Sequence, residues 1–208
     1  LHIGTLFSIL IFYRTRILNI FINFEVFKYY LKIITVGVLP AVVVGLFTPI
    51  QETIDNSAQI LIYTGIAYFF LSILLIFSEK INTKNVFSIN EITISHAFII
   101  GIAQAFALFP GVSRSGITLL TAMYIGVKKA DAIYYSLLLG IPTIFGAWSL
   151  TLVNQSFEIN TNIIIPTVAA LFTGIFAIKL LVKFTTNSKL QYFGFYCLLL
   201  SVVCFVIN

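Results

Sequence analysis

Phe109-Pro110-Gly111-Val112-Ser113-Arg114-Ser115-Gly116 stands between two apolar segments, 92–108 and 117–125, in a chain otherwise built for lipid. A Pro-Gly break followed by Ser-Arg-Ser-Gly is costly in such a setting. Non-helical backbone at membrane depth is tolerated only where it is buried in protein or lines a wet cavity. An intramembrane arginine marks a functional site by default. The flanking segments decide the architecture. The second is too short to cross a bilayer, and Lys128 and Lys129 follow at once. Two short arms meeting at a Pro-Gly break predict a re-entrant hairpin over 92–125 rather than two crossings. Gly101, Ala103, Ala105 and Ala107 give the first arm the thin profile that close helix packing in a membrane needs.

The rest of the composition agrees. Of 208 residues, 60% are hydrophobic and 9% charged, against about 25% charged in soluble domains. The chain is an integral membrane protein. Its net charge of +5 is spread over span ends, so the cations read as topology determinants and not as a nucleic-acid surface. Cys197 and Cys204 share one apolar segment and one helix face; they read as packed thiols and leave the redox compartment open. The first residue is Leu1, inside an apolar run, with no signal peptide in view. The expectation is that an N-terminal portion precedes it.

A spanning helix needs roughly 20 apolar residues, and the chain's apolar runs are of that order. They predict spans at 1–13 (the tail of one), 29–47 with a kink at Pro40, 58–77, 132–153 with Pro142, 163–182 and 190–207. Arg14, Arg16, Lys28 and Lys32 lie in the first connection, Glu52 and Asp55 in the second. In the last three spans the order reverses: Glu158 comes first, then Lys179, Lys183 and Lys189. By the positive-inside rule the two trios run in opposite directions. Chance alternation is the plain alternative; an inverted repeat is the informative one. The predicted fold is an all-α polytopic membrane protein forming a single membrane domain over 1–208. Three spans of a first repeat occupy 1–77, and a second repeat with its re-entrant hairpin occupies 91–207. The loops 14–32, 78–90, 128–129 and 179–189 fall on the cytoplasmic side.

The motif's chemistry follows from its residues. Gly111 and Gly116 let backbone approach a ligand and take positive φ. Ser113 or Ser115 can cap a helix beginning near Gly116, whose free N–H groups and dipole favour an anion. Arg114 adds a planar fork matched to phosphate oxygens. The motif itself contains no carboxylate. The expected ligand is a phosphate or diphosphate held within the membrane, hence a lipid phosphate. The bland alternative is an Arg114 that snorkels or pairs with Asp131 or a carbonyl.

The run Gly101–Gly116 (GIAQAFALFPGVSRSG) is followed by Thr118, Gly126, Asp131, Ser136 and Pro142. Together they resemble the undecaprenyl-diphosphatase family, the bacitracin-resistance phosphatases, and the resemblance runs in register along essentially the whole chain. It implies two inverted repeats, each a re-entrant hairpin plus three spans. It implies hydrolysis of undecaprenyl diphosphate to the monophosphate, recycling the lipid carrier of cell-wall (peptidoglycan) synthesis in the inner (plasma) membrane. It also implies a divalent cation, Mg2+ or Ca2+. Family members carry a second motif near the N-terminus, with glutamates, a Pro-x-Ser-Ser run and a histidine, which this sequence does not contain; His2 does not inherit that histidine's role. The expectation is a phosphatase as the full-length protein and an inactive 208-residue chain, with no metal ligands in it.

The expected catalytic residues are Arg114, Ser113 and Ser115. The expected substrate-binding residues are Gly111, Gly116, Thr118 and Gln104, with a helix–helix hydrogen bond (Gln104) and back-bonding to its own helix (Thr118) as the alternatives. His96 reads as a satisfied interfacial histidine, Asp131 as a helix cap, and Ser136 as a contact to the hairpin. Expected partners are a polyprenyl diphosphate and membrane lipids, with a homodimer left open. A polyprenyl-phosphate transporter or flippase is the rival reading, since inverted repeats with midplane anion sites are also transporter architecture.

Overall fold

The structure, a computed structural model, describes residues 2–49, 53–54, 56–80, 86–154 and 164–207. Among them nine α-helices follow in order: α1 His2–Phe12, α2 Arg14–Ile22, α3 Phe24–Phe47, α4 Ile60–Phe77, α5 Ile94–Phe106, α6 Arg114–Tyr124, α7 Lys129–Asn154, α8 Ile164–Thr186 and α9 Gln191–Ile207. Four stretches are long and apolar enough to cross a bilayer: α3, α4, Lys129–Ser149 of α7, and α8. The expected spans are recognisable, with two corrections. Helix α9, at 17 residues, is about 25 Å long by its rise per residue, a little under the ~30 Å hydrocarbon core. The connection after the first span is not a loop. It is helix α2, bent 72° from α1, and α3 starts at Phe24, where Asn23 caps it by accepting from Glu25 N–H at 2.9 Å. Leu18, Phe21 and Ile22 of α2 are exposed, as an interfacial amphipathic helix would have them.

Small residues set the helix contacts. On α3, Gly37 receives Tyr135 and Leu139 of α7, and a Cβ there would lie 2.7 Å from the Tyr135 hydroxyl oxygen. That hydroxyl donates to the Ile33 carbonyl at 2.8 Å. On α5, Gly101 presses on the Gly37 carbonyl and the Pro40 ring, so the expected thin arm is thin where it meets the kinked span. Helices α4 and α9 lie antiparallel with reciprocal contacts. Gly65 meets Cys204 and Phe205, while Gly194 meets Ser72 and Ile76. Ser201 Oγ donates to the Gly65 carbonyl at 2.7 Å. Each helix thus offers Gly and, seven residues on, Ser to its neighbour. Outward-facing Phe47, Phe176 and Val206 are among the most exposed side chains, as lipid-facing positions should be.

The hairpin α5–α6 is clamped at its base. Phe87 and Val127 form a parallel bridge, with Phe87 N–H donating to Gly126 O and Lys128 N–H to Phe87 O, both at 3.0 Å. Entry and exit therefore lie side by side, so both arms return to one end of the molecule. That end gathers the basic connections: Arg16 pairs with Asp131 at 3.2 Å, Ile89 N–H donates to the same carboxylate, Tyr30 bonds Asn90, and Lys129 bonds Ser188. The Glu91 carboxylate accepts from the Ser88 backbone N–H and hydroxyl, which holds its pKa below the ordinary carboxylate value. Asp131 is a bridge between α2, α7 and this loop, not the cap that was expected.

Candidate functional site

The chain between the arms makes one tight turn. Val112 N–H donates to the Phe109 carbonyl at 3.2 Å, enclosing Pro110 and a Gly111 whose φ is +88°. Proline at the second position and glycine with positive φ at the third are the signature of a type II turn. Only glycine suits this place twice over, because an added Cβ would also lie 2.8 Å from the Thr64 carbonyl of α4. Thr64 and Ala67, which Gly111 touches, lie 13 and 10 residues before Phe77 (77 − 64, 77 − 67). At 1.5 Å per residue the tip is about 15–20 Å from the clamped end, beyond the middle of an 18-residue α4.

Helix α6 begins at Arg114, two residues before the expected start. Ser113 is its N-cap and accepts from Gly116 N–H at 3.2 Å; Ser115 does not cap. Among the described residues the backbone N–H groups of Arg114 and Ser115 have no acceptor. The Arg114 side chain is half-buried and likewise has no hydrogen-bond or ion-pair partner among them. Its Nη2 reaches α7, 3.8 Å from where a Gly140 Cβ would sit, beside Ile9 of α1. It forms no ion pair with Asp131, whose carboxylate pairs instead with Arg16.

Arg114, Ser113, Ser115 and Gly116 are thus brought together at one helix start. Thr118 is not among them. It is 1% exposed, its hydroxyl donates to the Arg114 carbonyl at 2.8 Å and lies 2.6 Å from Ser136 Oγ. Ser136 in turn donates to the Ser115 carbonyl at 3.0 Å. The pair fastens the back of the motif to α7, and the back-bonded alternative describes Thr118. Gln104 lies on α5 with Ala97, Ile100 and Gly101, the arm's buried face. It is 2% exposed and neither end of its amide has a partner, so the alternative reading of a helix–helix hydrogen bond is not met. An orphaned buried amide costs about 1–3 kcal/mol and calls for a ligand, a water or further chain. His96 accepts from Thr93 N–H and stacks on Phe87, a structural role. Gly140, Ile9 and the α4 seat of Gly111 were not singled out from the sequence; Gly140, beside a proline-containing turn of α7, was the one readable hint.

The cation implied by the resemblance finds no ligand set here. No group of three or more His, Cys, Asp or Glu is placed to hold a metal among the described residues. A guanidinium, free N–H groups and hydroxyls are partners for an anion. The described residues do not fit a metal site.

A bundle of long apolar helices around a short helical hairpin, with an arginine at its tip that has no carboxylate partner among the described residues, defines a polytopic membrane protein. The chain belongs to the family described as Bacitracin resistance protein BacA, matching it over residues 1–203. It is 38% identical to the undecaprenyl-diphosphatase of Methanococcus vannielii, over 97% of this chain and 81% of that protein. It is 36% identical to that of Thermosipho africanus, over 100% and 83%, and 38% identical to that of Thermodesulfovibrio yellowstonii, over 99% and 79%. The resemblance carried by the hairpin motif is borne out.

Proposed function

We propose that the protein hydrolyses undecaprenyl diphosphate to undecaprenyl phosphate and inorganic phosphate in the plasma membrane. Water's oxygen joins the terminal phosphorus, the bridging P–O bond breaks, and the bridging oxygen leaves on the prenyl monophosphate. The observation that carries this reading is Arg114, without a partner among the described residues, at a helix start whose first N–H groups have no acceptor among them. Held at depth, these donors stabilise charge on the transferring phosphoryl group and on the leaving oxygen, where the low dielectric makes each worth more than in water. Ser113 and Ser115 hydroxyls supply further donors, and Gly111 and Gly116 let the diphosphate approach the backbone. The unmet amide of Gln104 is a candidate contact to the same ligand.

The reciprocal Gly–Ser contacts of α4 and α9 support the inverted repeat inferred from the loop charges, which we propose as the architecture. The test is phosphate release from a polyprenyl diphosphate by the purified full-length protein in lipid. Arg114→Ala should lower kcat/KM about a hundred- to a thousandfold, the usual effect of removing one such donor. Near wild-type turnover in a folded variant would sink the assignment. Binding of the diphosphate by wild type without phosphate release would favour transport.

A further inference from the structure

A cavity of about 670 Å³ lies at the basic end of the molecule, within the ~300–1,000 Å³ usual for small-molecule sites. Helical periodicity builds two of its walls. Arg16, Asn19 and Ile20 share one face of α2, and Glu25, Tyr29 and Tyr30 share one face of α3. The residues 88–90 before α5 and Asp131 and Tyr134 of α7 complete it, and none of the Arg114 site takes part. Tyr134 is 2% exposed, yet its hydroxyl has no hydrogen-bond partner. The Arg16 guanidinium lies over its ring, 5.2 Å from the centroid. Of the four groups whose charge acts on that hydroxyl, three (Tyr30, Arg16 and Asp131) belong to the same walls, so the hydroxyl borders the cavity. Among the described residues Arg16 gives only Nη1 to Asp131, Asn19 bonds nothing, and Asn90 uses only its carbonyl oxygen, on Tyr30. Both oxygens of Asp131 are taken, by Arg16 and by the Ile89 N–H. The Glu25 carboxylate meets only Lys28, in an exposed pair at 3.2 Å, and such pairs hold weakly.

We infer that this cavity holds the headgroup of a phospholipid bearing both a phosphate and a primary ammonium, the chemistry of phosphatidylethanolamine. The uncommitted N–H groups of Arg16, the Tyr134 hydroxyl and the two asparagine amides are donors for the phosphate oxygens. Glu25 is the acceptor for the ammonium, which a quaternary ammonium cannot satisfy by hydrogen bonding. A free phosphate or an anionic headgroup meets the Glu25 carboxylate with no charge to offset it. A lipid fits the place better than a soluble zwitterion. Phe21, Ile22 and Phe24 at the corner of α2 and α3 are exposed, so acyl chains leave the cavity along an apolar surface of an interfacial helix. Seated there, the headgroup ties α2 and α3 to the segment that enters the hairpin. The inference is independent of the reaction, since the cavity and the Arg114 site share no residue.

Native mass spectrometry of the delipidated full-length protein in detergent tests this, with dioleoyl phosphatidylethanolamine, phosphatidylcholine and phosphatidylglycerol titrated in turn. One phosphatidylethanolamine should bind about fivefold or more tighter than either of the others, the weight of one hydrogen bond. Equal binding of the three lipids overturns the proposal, and so does tighter binding of soluble O-phosphoethanolamine than of the lipid. Tyr134→Phe deletes a hydroxyl that has no partner in the protein, so the melting temperature should hold while affinity for phosphatidylethanolamine falls about five- to tenfold. Unchanged affinity in the folded variant overturns the proposal. Glu25→Gln, at an exposed position, should bring the affinity ratio of phosphatidylethanolamine to phosphatidylglycerol close to one. A preference that survives this change overturns the headgroup assignment, and this variant decides the matter if Tyr134→Phe does not fold.

Discussion

A guanidinium at the centre of a spanning helix costs about 2.5–3.5 kcal/mol on insertion scales, and Arg114 has no ion-pair partner among the described residues to offset it. Such a residue stores binding capacity for an anion at the expense of stability. The arginine was legible in the sequence because its neighbours are so ill-suited to lipid. The fate of Thr118 was not, because a hydroxyl one turn into a helix faces ligand or neighbour according to the helix's rotation, which only Ser136 on α7 reveals. Gly111 provides the residue-scale prediction. Gly111→Ala forces a Cβ at φ +88° and within 2.8 Å of Thr64 O, so it should destabilise by about 1–3 kcal/mol and lower activity with it. Thermal denaturation in detergent beside the phosphate assay checks both. Unaltered melting would mean that the turn is not held as described.

At the scale of elements, span-forming helices were readable from hydropathy alone, since lipid imposes one requirement on all of them. Helix α2 was hidden. Arg14 and Arg16 at its start and the brief polar interruption at Asn23 look like a loop in a sequence, and the 72° bend that turns it aside leaves no compositional trace. The antiparallel α4–α9 pair was equally hidden, although its Gly and Ser spacing is written twice. That pair supplies a graded test. Gly194→Leu must place a side chain where a Cβ already lies 2.7 Å from Ile76 Cγ1, and should cost about 1–3 kcal/mol as overpacking. Ser201→Ala removes one buried hydrogen bond and should cost about 0.6 kcal/mol, the usual membrane value. Unfolding in mixed micelles measures both, and equal losses would argue against close approach at Gly194.

For the whole molecule, the alternation of charge in the sequence anticipated which connections share a side. Their convergence through Arg16–Asp131, Tyr30–Asn90 and Lys129–Ser188 needed contacts between residues far apart in the chain. If that basic end is cytoplasmic, a cysteine replacing Lys128 in a protein lacking Cys197 and Cys204 should react with a membrane-impermeant thiol reagent only after cells are opened. Labelling of intact cells would reverse the orientation. The clamp at Phe87 and Val127 bears on how the chain enters the bilayer in the first place. Arms of 13 and 11 residues fall short of the roughly 20 that a translocation channel releases sideways as a span. The hairpin must therefore wait until α3, α4 and α7 are in place to shelter it. Closing the 40 positions between its ends (127 − 87) costs about 3 kcal/mol of chain entropy, a toll met last. Biogenesis then has a built-in order, with the site assembling only inside a bundle that has already formed.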